Sequence, residues 1–251
     1  MGQEAAAMRG ANTVDPTEIA RFAALAEGWW DLNGKFKPLH RLNPLRLAFL
    51  RERLIAHFGR DPGSLRPFQG LRLLDIGCGG GLVAEPMTRL GFAVTGIDAA
   101  AETVLTARRH AEEAGLEVDY RAVAAETLAA SDERFDVVLA MEIIEHVADL
   151  GAFLAAAAAL VRPGGAFVAA TLNRTAKSYL FAIVGAEYVL GWLPRGTHEW
   201  RRFVRPSELA TGLRRNGLHA REIAGVAYNP IADRWSLVRD LDVNYMVFAV
   251  K

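Results

Sequence analysis

The chain has 251 residues, 51% of them hydrophobic, and its 29 basic and 29 acidic side chains cancel at pH 7. That length allows one large or two small domains, and the charge balance excludes a global field drawing the protein to nucleic acid or an anionic membrane. A single cysteine, Cys78, excludes an internal disulfide and fits a reducing compartment. The sequence shows neither a secretory h-region nor about 20 uninterrupted apolar residues, so the expectation is a cytoplasmic globular protein whose membrane contacts are local.

Residues 1–14 read as a flexible tail and 15–251 as one domain. Asp15-Pro16-Thr17-Glu18 is a helix start: Asp15 caps the free amides, Pro16 suits the first position and Glu18 completes a capping box. Ile19, Phe22, Ala23, Ala26, Trp29 and Trp30 follow at helical spacing. A second helix is expected from Asn43-Pro44 to just before Gly59, with Leu47, Leu50, Leu54 and Phe58 on one side. Together these helices form an N-terminal extension over 15–60, resembling a lid.

From Leu71 strands and helices alternate. Strands are expected at Leu71–Ile76, Ala93–Ile97, Val118–Val123, Phe135–Met141 and Ala166–Leu172. Between them lie a helical segment to Leu90 that Pro86 kinks or delays, a helix at Ala100–Ala114, and an alanine-rich helix at Asp149–Leu160 stopped by Arg162-Pro163-Gly164-Gly165. The alternation predicts a Rossmann-like α/β fold, a mostly parallel twisted sheet with helices on both faces. The tail adds a helix near Pro206–Arg215 and strands near Glu222–Val226 and Tyr245–Val250.

The most specific feature is Leu73-Leu74-Asp75-Ile76-Gly77-Cys78-Gly79-Gly80-Gly81. Glycines after an apolar strand let backbone approach a ligand, and Asp98, about 20 residues on, stands where such sheets place the acid that holds ribose. A nicotinamide site is disfavoured: the fingerprint's small sixth residue is Leu82 here, and Asp75 would repel a pyrophosphate. A ligand bearing a sulfonium and an ammonium group would favour Asp75. Asp-x-Gly-x-Gly-x-Gly resembles the first motif of class I methyltransferases, and Asp98, Phe135–Val138 and the Arg162–Gly165 turn resemble their later motifs in order. The expected cofactor is S-adenosyl-L-methionine. After the third strand, where an Asp often cradles adenine, this sequence has Glu126.

Glu142, Glu145 and His146 follow the fourth strand with i, i+3, i+4 spacing, which puts all three on one face of a helical turn. Three readings stay open. The trio holds a divalent metal such as Mg²⁺ that acidifies a catechol, or His146 is a metal-free general base, or the acids pair with arginines and the cluster is structural. Further on, Tyr179–Leu193 is almost wholly apolar, and Arg195, His198, Arg201, Arg202 and Arg205 follow it. The 173–204 insert therefore reads either as a buried lid with a solvated basic loop or as an interfacial anchor, with peripheral contact through 178–205.

Segments outside the cofactor motifs resemble one family, the ubiquinone-biosynthesis O-methyltransferases. They include Trp29-Trp30-Asp31, Phe36-Lys37-Pro38-Leu39-His40-Arg41, Asn43-Pro44-Leu45-Arg46, Thr171-Leu172-Asn173-Arg174 and Val243-Asn244-Tyr245-Met246. The resemblance runs from about Asp15 to Val250. It implies methylation of catechol-type precursors with a polyprenyl tail at two steps, including the final demethylubiquinol step. It also implies peripheral association with the inner face of the membrane and a complex with other quinone-biosynthesis enzymes. By the same resemblance Arg46 approaches the methionyl end, Gly77 lines the loop, Asp98 holds ribose and Met141 packs by adenine or sulfur; Gly79 of the glycine loop is a further cofactor-binding candidate. The rivals are another small-molecule O- or C-methyltransferase and a non-catalytic membrane-associated scaffold; the Glu-x-x-Glu-His cluster argues against the scaffold.

Overall fold

The computed structural model describes residues 13–179, 200–229 and 232–251. Helix α1 (Pro16–Ala23) begins on its cap, with Asp15 Oδ1 accepting from the Thr17 amide at 2.9 Å and Pro16 in the first turn. Glu18 does not complete a capping box; its carboxylate turns away toward His146. The helix stops at Ala23, and only a short 3-10 turn at Ala26–Gly28 precedes Trp29. Helix α2 (Lys37–Phe58) starts six residues before Asn43. Pro38 fills its first turn, and Pro44 lies inside it, where one backbone bond is lost while Leu42, Phe49, Leu50 and Leu54 are buried. Gly59 ends it in the left-handed conformation at φ 60°.

The core elements are β1 (Arg72–Ile76), α3 (Ala84–Arg89), β2 (Ala93–Asp98), α4 (Ala101–Glu113), β3 (Asp119–Ala122), α5 (Ala125–Ala129), β4 (Phe135–Met141), α6 (Leu150–Leu160) and β5 (Val161–Leu172). Pro86 falls in the first turn of α3, where amides need no intrahelical partner, so nothing obliges a kink there. After the insert come α7 (Pro206–Arg215), β6 (His219–Asn229), β7 (Arg234–Val238) and β8 (Asn244–Val250). Strand β7 was not foreseen from sequence, and β6 is longer than expected because it pairs with both β8 and β7.

The eight strands run in the order β3-β2-β1-β4-β5-β8-β6-β7. Strands β1 to β5 are parallel, and β8, β6 and β7 continue the sheet antiparallel. All seven residues of β4 are buried, which is why, Asp136 apart, it reads as apolar throughout rather than as an alternation. Successive residues serve opposite faces. Leu73, Val137, Leu139 and Val168 pack with Phe49, Leu50 and Leu54 of α2. Leu74, Val138, Ala140 and Phe167 pack with Phe153 and Leu154 of α6 and Leu209 and Leu213 of α7. Strand order reverses between β1 and β4, so their carboxyl ends open the crevice where such sheets bind ligands.

Asp136 secures the opposite end. It is 3% exposed, its Oδ2 accepts from the Arg72 amide at 2.6 Å, and its Oδ1 pairs with Arg162. It thus joins the start of β1 to the first residues of β5, where the β4–β5 register shifts between Phe135 and Val137. Strand β5 consequently begins at Val161 and takes in the Arg162–Gly165 segment read from sequence as a turn. Asp136→Ala should cost roughly 1.5–3 kcal/mol, the range for hydrogen bonds to a charged group. Urea unfolding measures this, and an unchanged midpoint would show that the strand starts are held by packing alone.

Candidate active site

The cavity at the carboxyl ends of β1, β2 and β4 is roofed by the N-terminal segment. Arg46, Asp75, Gly77, Asp98, Glu126, Met141, Glu142, Glu145 and His146, scattered through the chain, all line it. So do Glu18, Phe22 and Trp29 from the segment above. Gly79 does not. Its amide donates to Asp98 Oδ2 at 3.1 Å, and a Cβ at Gly79 would meet the Trp29 indole at 2.0 Å. The same holds at Gly80, where Trp29 lies 2.1 Å from an ideal Cβ. The glycine loop is therefore bare at these positions to seat a tryptophan of its own chain. Gly77 is different: it faces the cavity and turns at φ 70°, a conformation costly for other residues.

The lining is strongly acidic. Among the described residues it holds the carboxylates of Asp15, Glu18, Asp75, Asp98, Glu126, Glu142 and Glu145, against one guanidinium, Arg46. Asp75 is 2% exposed, and burial pushes its carboxyl up to about 7, partly offset by the charge of Arg46 and reinforced by that of Asp98. Burial likewise raises Asp98, whose two oxygens are steadied by the amides of Gly79 and Ala100. Such a set of desolvated acids is costly alone and favours a cationic ligand over a pyrophosphate. Arg46 is itself 3% exposed, and its Nε has no hydrogen-bond partner among the described residues.

The segment after β4 departs from the sequence expectation. Glu142 has φ 56°, so the chain reverses there instead of continuing a helical turn, and a 3-10 turn forms only over Ile144–His146. The i, i+3, i+4 face is broken and the three side chains find separate partners. Glu142 Oε1 pairs with Arg46 Nη2 at 2.8 Å. Glu145 Oε2 accepts from Thr171 Oγ1 at 2.7 Å, while its buried Oε1 has no hydrogen-bond partner among the described residues. Burial, then the charge of Glu142, raises the Glu145 carboxyl. His146 Nδ1 stands 2.9 Å from Glu18 Oε2, with the Phe22 ring edge-on at 5.4 Å. Burial alone would raise Glu18, but His146 and Arg21 more than offset it and hold the carboxyl below its usual range. Among the described residues no three His, Cys, Asp or Glu side chains are grouped to hold a metal ion.

Sequence reasoning missed the residues the N-terminal segment brings to the site, Phe22 and Trp29 and, with polar groups, Glu18 and Thr13. Glu18 was read as half of a cap, and Thr13 as tail. Thr13 is 2% exposed; its hydroxyl donates to Glu126, and its carbonyl accepts from the Ala148 amide at 2.7 Å. Glu126, expected beside adenine, is thus already engaged by the roof. The one available signal was the Trp29-Trp30 pair, too apolar for a solvated extension.

Residues 74–169 match the model of the family described as a methyltransferase domain. The fold resembles that of a magnesium protoporphyrin IX methyltransferase from Synechocystis with bound SAH, at 16% identity and TM-score 0.60, over 100% of this chain and 94% of that one. It also resembles an S-adenosylmethionine-dependent methyltransferase from Clostridium acetobutylicum, at 12% identity and TM-score 0.60, over 92% and 98% of the chains. In sequence the chain is 60% identical to a ubiquinone biosynthesis O-methyltransferase of Paramagnetospirillum magneticum, over 95% of its length and 96% of the relative's. It is 59% identical to one of Parvibaculum lavamentivorans, over 95% and 94%. The chain therefore belongs to the ubiquinone biosynthesis O-methyltransferase family and is an S-adenosylmethionine-dependent O-methyltransferase of class I fold.

Proposed function

We propose that the acceptors are catechol-type ubiquinone precursors carrying a polyprenyl tail, methylated on a phenolic oxygen at two steps, including the final demethylubiquinol step. The observation that carries the cofactor half of this reading is the acidic cavity around Arg46. Arg46 suits the carboxylate of the methionyl end, Asp75 its ammonium, Asp98 the ribose hydroxyls, and Glu126 and Met141 the adenosyl side, with Gly77 letting the chain pass close. S-adenosylmethionine supplies a methyl group on sulfonium; the carbon–sulfur bond breaks as the oxygen–carbon bond forms, leaving a neutral thioether. The protein must align the acceptor and remove its proton, since a phenol ordinarily ionises near pH 10.

His146 is the base in this reading. With Nδ1 toward Glu18, Nε2 is the nitrogen that takes the phenolic proton. The rival is a divalent cation on Glu142, Glu145 and His146. Their donor chemistry suits one, and the buried Glu145 Oε1, without a hydrogen-bond partner among the described residues, favours it. As placed, however, Arg46 holds Glu142 and Glu18 holds His146, so the trio does not fit a metal without leaving its partners.

Peripheral membrane contact through 178–205, at the inner face of the membrane, and association with other quinone-biosynthesis enzymes complete the proposal. Residues 180–199, with most of the apolar run and Arg195 and His198, lie outside the described residues. Nearby, Arg201 and Arg205 are exposed, whereas Lys177 pairs with Asp240 and Arg202 with Asp15. No described helix is long and apolar enough to cross a membrane.

Two measurements test the site. In methyl transfer from labelled cofactor to a short-tailed catechol precursor, His146→Ala should lower kcat by about 100-fold, the lower end for a general base, and chelator should have no effect. Turnover abolished by chelator and restored by Mg²⁺ would replace the base with the metal. The second concerns Asp75. Its folded-state carboxyl titrates near 7, above the ordinary 3.8, so in the free protein its ionisation erodes stability as pH rises from about 4 to about 7. A cationic ligand reverses this cost. Affinity for S-adenosylmethionine should therefore rise with pH up to about 7, and Asp75→Asn should flatten the profile. A profile unchanged by the substitution would remove Asp75 from the cofactor site.

A further inference from the structure

Helix α1 and the residues before it touch the body in two ways. Asp15 pairs with Arg202 at 2.9 Å, and Thr13 binds Glu126 and the Ala148 amide. These contacts fasten the segment over the cavity without reaching the reacting groups. Glu18 does reach them: its Oε2 meets His146 Nδ1 at 2.9 Å in the cavity wall, with Arg21 Nη2 at 2.9 Å from the same oxygen. Within its own helix Glu18 pairs with Arg21 one turn on, and Asp15 serves as the cap; among the described residues, the contact with His146 is the one Glu18 makes outside that helix.

We propose that Glu18 is a positioning residue for His146, carried by the roof helix. A carboxylate on one ring nitrogen of a histidine fixes its tautomer and turns the other nitrogen to its task. Glu18 does this from an element that is not part of the sheet, so His146 is aimed only while α1 lies over the cavity. Phe22, one turn further along the same helix, limits the ring from its edge at 5.4 Å. Closure of the roof and readiness of the base are thereby one event. The inference rests on the reading of His146 as the base.

The test compares kcat and KM in the full chain for Glu18→Ala, Glu18→Gln, Asp15→Ala, His146→Ala and the double variant Glu18→Ala/His146→Ala. Glu18→Ala should lower kcat about 10–100-fold, with KM for S-adenosylmethionine held within about twofold. Glu18→Gln keeps an oxygen for the Nδ1 proton and should recover part of that loss. Should the alanine variant fail to fold, its intermediate kcat carries the same test. Asp15→Ala loosens the same helix but leaves the Glu18 carboxylate in place, so it should raise KM for S-adenosylmethionine, while kcat, read at saturating cofactor with the roof closed, falls far less than in Glu18→Ala. The double variant should be no slower than His146→Ala, because both changes remove one unit. The positioning role is overturned if Glu18→Ala behaves like Asp15→Ala, or if the two losses multiply. Slow His146→Ala with unimpaired Glu18→Ala sinks this inference alone; a fully active His146→Ala sinks the base reading beneath it.

Discussion

Trp29 lies on the glycine loop so closely that no side chain fits beneath it at Gly79 or Gly80. This contact ties the N-terminal segment to the edge of the sheet, and much of the site's architecture follows from it. The indole packs with Phe36 and Leu82, while Trp30 donates to the Gly80 carbonyl at 2.9 Å and stacks on His110 at 3.5 Å. With both tryptophans anchored, α1 has little choice but to lie across the crevice, where Thr13, Glu18 and Phe22 close it. A loop that reads as a ligand cradle is thus also the socket of the roof.

Electrostatics then gives the closed crevice its selectivity. Burying several carboxylates around one arginine is unfavourable in the free protein, as the raised Asp75, Asp98 and Glu145 show. A sulfonium and an ammonium group relieve that cost, whereas a pyrophosphate would add to it. The amides of Gly79 and Ala100 hold Asp98 in place, and Thr171 does the same for Glu145. The acids are therefore oriented before any ligand arrives, which is the condition for efficient electrostatic recognition.

Much of this was legible in the chain itself. The mostly apolar stretches at Phe135–Met141 and Leu73–Ile76, each broken by one aspartate, announced buried parallel strands, and Pro206 and Asp149 marked helix starts that the structure keeps. Less legible were elements whose limits depend on neighbours. Helix α2 accepts Pro44 because its apolar side is buried, and β7 exists because β6 offers it an edge. The 3.6-residue spacing carried no warning that Ala23 would end α1.

The sequence by itself determined the α/β alternation, the glycine loop with Asp75 and Asp98, and membership of the family, because these are written in residues close together or in runs of fixed period. The tertiary structure alone decided what Glu142, Glu145 and His146 do. Their spacing promised a shared face, but the reversed backbone at Glu142 is a conformation that its residue type does not announce. Their partners Arg46, Thr171 and Glu18 come from α2, β5 and α1, brought together by core packing and by the tryptophans that hold the roof. Local spacing encodes the periodicity of one element; it does not encode which distant element arrives to claim its side chains.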